Sequence, residues 1–140
     1  MSFSGKKFRR HLDSLSEIFD LIDRFVEQQH IDDAARRAIS LAVDELFTNM
    51  VKYDPKNPND ITIELQVDDQ NLLVTLIDRD AARFDIKKNP DPYLGASLDE
   101  RKPGGLGIFL TKNVVDDVQY QYQDRTSTIT LKKNFRKKNV

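Results

Sequence analysis

The sequence predicts an α+β fold, a two-layer α/β sandwich with a mixed, mostly antiparallel sheet and helices on one of its faces. Two early segments carry apolar residues at helical spacing. Two later pairs of segments alternate apolar and polar residues around short polar turns. No internal repeat is visible.

The 140 residues suit one domain, 1–140, which buries about two-thirds of its unfolded surface. A hydrophobic content of 39% beside a charged content of 32% describes a soluble globular chain. No apolar run nears the roughly 18 residues of a membrane span, and "MSFSGKKFRRHL" lacks a signal-peptide core, so the expected compartment is the cytoplasm, with no membrane contact. Without cysteine there are neither disulfides nor cysteine zinc sites, and the isolated His11 and His30 do not suggest a histidine-rich metal site. A formal net charge of -1 gives no drive toward nucleic acid. The locally basic stretch 134–140 is expected to be a frayed, solvated tail.

The segment around Phe8 reads as an edge strand. From Ser14, residues Leu15, Ile18, Phe19, Ile22, Phe25 and Val26 fall on one helical face, and Ser14 with Glu17 has the capping-box pattern. A second helix starts near Asp32 or Asp33, whose carboxylates suit a helix N-terminus, and stops at "DPKNPND". Next, Ile61, Ile63, Leu65 and Val67 alternate with polar residues, "DDQN" turns, and "LLVTLID" returns as a hairpin. Residues 79–103 have no clear period and three prolines, as in a lid or binding loop. After them "IFLTKNVV" looks helical, and "VQYQYQ" and "TSTITLKK" read as a closing strand pair around "DR".

Two features carry chemistry. On the second helix, Ile39, Val43, Leu46, Phe47 and Met50 form an apolar arc, and Glu45 and Asn49 stack four residues apart at its border. A carboxylate and a carboxamide there suit either a pocket or ordinary solvent. In "RKPGGLGIFL", Gly104, Gly105 and Gly107 precede a helix-like run, and bare backbone at a helix start suits either an anion such as phosphate or a hinge.

The ordered set "DELFTNMVKY", a strand ending at Asp78, a long loop, "ERKPGGLGIFL" and the strand "TSTITLKK" resembles the GHKL ATPase superfamily. Within it the chain is similar to the small anti-sigma-factor-type serine/threonine kinases, from the first helix to residue 133. The E-x-x-x-N spacing and the E-R-x-x-G-G-L-G run are more specific together than singly. The resemblance implies the Bergerat (histidine-kinase-like ATPase) fold, binding ATP with Mg²⁺ under a lid at 79–103. It implies Glu45 as general base, Asn49 as the Mg²⁺ ligand and Lys52 near the phosphates. It further implies Asp78 as acceptor for the adenine amino group and Thr128 as its support. Gly105, Leu106 and Gly107 would present backbone N–H groups to phosphate, Gly104 would join lid to helix, and Arg101 would reach the terminal phosphate or a partner.

Two positions depart from the family pattern. Asp80 stands where glycine is expected, with Phe84 one place late, and a second carboxylate there could crowd the base or repel phosphates. Thr126 also replaces a frequent glycine. By the resemblance the partners are an anti-sigma-factor antagonist, a sigma factor and a second copy in a homodimer. The other readings are a pseudokinase or binding module with weakened nucleotide affinity, and a simple ATPase.

Overall fold

The computed structural model describes residues 2–80 and 113–138. In chain order these form β1 (Phe3–Phe8), a 3-10 turn (Leu12–Ser14), α1 (Leu15–Gln28), α2 (Asp33–Tyr53), β2 (Ile61–Asp68), β3 (Asn71–Arg79), β4 (Asp117–Gln123) and β5 (Thr126–Asn134). The strands make one sheet in the order β1-β2-β3-β5-β4. Every pairing among the described residues is antiparallel, so the parallel component expected of a mixed sheet is not found there.

The period-2 patterns decide which sheet face is covered. Ile61, Ile63 and Leu65 of β2, Leu72, Val74 and Leu76 of β3, and Ile129 and Leu131 of β5 point inward and are buried. Against them lie Ile18, Ile22, Phe25 and Val26 of α1 and Ile39, Ala42, Val43, Leu46 and Phe47 of α2. Each large apolar side chain buried in this layer contributes about 1.5–3 kcal/mol. The opposite sheet face carries Thr62, Glu64, Thr75, Thr128, Thr130 and Gln121, with Leu73 and Ile77 among them.

Local details differ from expectation in three places. Ser14 ends the 3-10 turn and makes no side-chain cap bond; its hydroxyl donates to the Arg9 carbonyl at 2.8 Å, and Glu17 pairs with Lys6 at 3.3 Å, so no capping box forms. Asp32 precedes α2 without capping it, and its carboxylate accepts from the Arg136 N–H at 2.9 Å. That bond belongs to the third difference. The basic tail is docked through residue 138: Phe135 is buried in the core, Lys137 bridges Ile31, and the Lys138 N–H donates to the His30 carbonyl at 2.6 Å. One apolar ring among the basic residues is sufficient anchor. Of the helix expected at "IFLTKNVV", Asn113 and Val114 are helical, and residues 108–112 lie outside the described residues, as do 81–103 of the expected lid.

Candidate functional site

Asp78 is placed by the inward parity of β3. In antiparallel register it lies opposite Ile61 of β2 and Ser127 of β5, all on the covered face. Its side chain is 6% exposed, and the Arg10 side chain that pairs with it is 4% exposed. Arg10 stands in the connector after β1 and donates three ways: Nη2 to Asp78 Oδ1, Nη1 to the Met50 carbonyl at 3.1 Å, and Nε to the Asn59 carbonyl at 3.2 Å. One guanidinium thus ties together the last turns of α2, the loop before β2 and the end of β3. Burial pushes the Asp78 carboxyl up from its usual range, against the hydrogen bond and charge of Arg10, and the nearby charge of Asp54 adds to the rise.

Met50 is the chain neighbour of Asn49, so the Arg10 bonds set the Asn49 turn of α2 beside the end of β3. Glu45 sits one turn earlier on the same helix. Both are half-buried, at the edge of a face whose centre, Ala42, Val43, Leu46 and Phe47, is fully covered. Lys52 follows on the exposed side. Arg10 thus links the C-terminal end of α2, which carries Asn49 and one turn earlier Glu45, to Asp78 at the end of β3.

Thr128 lies opposite Ile77 of β3 and Gln121 of β4, on the uncovered sheet face, because β5 alternates and Thr128 has the wrong parity. Ser127, buried opposite Asp78, is the hydroxyl on the correct face. The sequence reading missed Ser127, although its alternation with Ile129 and Leu131 is a signal that could have found it.

Asp80 takes the backbone conformation that glycine would favour, with φ at +55°. Its carboxylate is held by Arg125 Nε at 2.6 Å in the β4–β5 turn, and both side chains are more than half exposed. The expected repulsion by a bare second carboxylate is thus reduced by a paired guanidinium. Asn57 and Asn59 anchor the same corner, donating to the Arg79 carbonyl, and Asn57 also to the Asp80 carbonyl at 3.1 Å. Arg101, Gly104, Gly105, Leu106 and Gly107 lie outside the described residues. Among the described residues no three His, Cys, Asp or Glu side chains form a metal cage.

The profile of the histidine kinase-like ATPase domain family matches residues 8–133. The chain belongs to that family. A serine-protein kinase RsbW of Listeria innocua is 33% identical over 100 residues, which cover 67% of this chain and 63% of that protein. The serine/threonine-protein kinase BtrW of Bordetella bronchiseptica is 30% identical over 98 residues, covering 69% and 68%. The chain thus spans somewhat less than two-thirds of the RsbW relative's length. Among solved structures, the RsbU and RsbW domains of Rv1364c from Mycobacterium tuberculosis superpose with a TM-score of 0.71, covering all of this chain and 35% of that one, at 12% identity. The catalytic domain of the histidine kinase ThkA gives a TM-score of 0.54 at 12% identity, covering 96% of each chain. These likenesses establish the fold: two helices over a five-stranded antiparallel sheet is the histidine-kinase-like ATPase architecture. Membership of an ATPase-domain family implies ATP as its nucleotide. No helix among the described residues is long and apolar enough to cross a membrane.

Proposed function

We propose that the chain is an ATP-dependent serine/threonine protein kinase of the anti-sigma-factor type, phosphorylating a small anti-sigma-antagonist protein in the cytoplasm. The observation that carries this reading is the Glu45–Asn49 pair, one helical turn apart, on the part of α2 that Arg10 joins to the buried Asp78. The RsbW and BtrW relatives, named as serine or serine/threonine kinases, support it.

In this reading Asp78 accepts a hydrogen bond from the adenine amino group, and Ser127 takes the supporting role first given to Thr128. Asn49 offers its side-chain oxygen to Mg²⁺. The fit is chemical: a hard cation that keeps several waters and binds phosphate oxygens needs few protein ligands, and α2 supplies one carboxamide rather than a cage. When bound, the metal supplies neutralisation of phosphate charge. Lys52, exposed and flexible, adds positive charge near the phosphates, and Gly104, Gly105, Leu106, Gly107 and Arg101 complete the phosphate side. Glu45 takes the proton of a substrate hydroxyl as its oxygen bonds to the terminal phosphorus; the bond from that phosphorus to the bridging oxygen breaks, and ADP leaves. The antagonist and a sigma factor would use one surface in turn, with a homodimer as the working unit.

Glu45→Gln keeps shape but cannot accept the proton, so transfer to a cognate antagonist should fall roughly 10²- to 10⁴-fold with ATP affinity near wild type. Asn49→Ala should lose the Mg²⁺-dependent part of ATP binding as well as turnover. Nucleotide titration with and without Mg²⁺, beside phosphoryl transfer, tests both. Unchanged transfer by Glu45→Gln would sink the base assignment and favour a role confined to binding.

A further inference from the structure

Asp78 is already occupied. Its carboxylate and the Arg10 guanidinium cover each other, and neither is exposed enough for an outside group to reach Asp78 unless something covering it moves. Arg10, its hydrogen-bond partner among the described residues, stands on the short connector after β1. Its neighbours Arg9, His11, Leu12 and Asp13 are exposed, so the backbone that carries Arg10 lies at the surface. Resting on the adenine role assigned to Asp78 above, we propose that Arg10 is an internal competitor for the nucleotide base: it holds Asp78 in the free protein and must be displaced before the base amino group can bind there.

The competition is uneven at the start. The guanidinium brings a full positive charge to the carboxylate and can meet it with two N–H donors, whereas the base offers a neutral amino group. Arg10 also gives up its bonds to the Met50 and Asn59 carbonyls when it leaves. The base-competent form is then a minor population, and apparent affinity is reduced by that fraction. With a population of about 1–10%, removal of Arg10 raises ATP affinity about 10- to 100-fold. Because Arg10 holds the loop before β2 and the last turns of α2, base binding is coupled to loosening of that corner. Arg10 is in this sense a positioning residue that sets nucleotide affinity, and it does no chemistry itself.

The test is titration of ATP and of inosine triphosphate, which lacks the amino group, with Mg²⁺, into wild type, Arg10→Gln and Asp78→Asn. Arg10→Gln should bind ATP about 10- to 100-fold more tightly than wild type, with no comparable gain for inosine triphosphate; Asp78→Asn should bind ATP more weakly than wild type. A loss or no change in Arg10→Gln, while Asp78→Asn loses affinity, overturns the competitor and leaves the base site standing. No effect of either substitution overturns the adenine role of Asp78 and the competitor with it. Wild type supplies an independent check should Arg10→Gln fold poorly. The Arg10 Nε–H, bonded to Asn59 in the free protein, should acquire the NMR shift and fast exchange of a solvated arginine at saturating ATP. Persistence of its protection with ATP bound overturns the proposal.

Discussion

Two aspartate–arginine pairs stand at the end of β3, two residues apart. Asp78–Arg10 is nearly sealed, whereas Asp80–Arg125 lies at the surface with both side chains more than half exposed. The partners are the same chemical groups. What differs is the medium: around Asp80 water competes for each charge and salt screens it, while at buried Asp78 the Arg10 guanidinium offsets part of the lost hydration. Parity along β3 and the bend after Arg79 make that difference, since Asp78 points with Leu76 into the core and Asp80 has already left the sheet.

The largest effect should come from separating the buried pair. Arg10→Met leaves Asp78 buried without its guanidinium, and a loss of about 3–5 kcal/mol is expected in urea denaturation, little altered by 1 M salt. Adding Asp78→Leu should recover part of it, because an apolar pair of similar volume removes the uncompensated charge. If Arg10→Met cost under about 1 kcal/mol, the distinction between the two pairs would collapse.

A smaller effect concerns pH. Burial raises the Asp78 carboxyl, so the folded chain holds that proton to higher pH than the unfolded chain does. This contribution to stability is fully present below the ordinary carboxylate value of about 3.9 and is lost as pH rises through the folded pKa. Asp78→Asn cannot titrate. The stability of wild type relative to Asp78→Asn should therefore be greatest near about pH 3.5 and fall as the pH is raised. A difference that grows with pH instead would mean that Arg10 outweighs burial.

The smallest effect belongs to the exposed pair. Arg125→Ala should shift the urea midpoint only slightly, and the shift should vanish in 1 M salt. Asp80→Gly should be close to neutral, since glycine accepts the +55° φ that Asp80 already adopts. A loss as large as that of Arg10→Met would mark the surface pair as part of a larger network.

The sequence made the elements legible because long periodic segments report their own burial: both helices and both hairpins stand where their apolar spacing placed them. Glu45, Asn49 and Asp78 stand out in the sequence because their motifs are local. The motif points to Thr128, whereas the alternation of "TSTITL" puts Ser127 on the face of the core residues, where the register places it opposite Asp78. Arg10 was illegible for a different reason. Nothing in "FRRH" distinguishes it from Arg9, and its partner lies 68 positions away, so only the folded chain shows which arginine is buried. Phe135 was hidden among lysines and arginines, whose charge suggested solvent and whose one aromatic neighbour decided otherwise.

The strand order also has a consequence in time. β5, the last strand of the described chain, lies between β3 and β4 rather than at an edge. During synthesis the inner edge of β3 and one whole side of β4 must wait with open backbone donors and acceptors until residues 126–134 have left the ribosome. The sheet therefore closes from its middle and late, through pairings distant in sequence, so folding should be slow for a chain of this size and most open to mispairing just before that strand arrives.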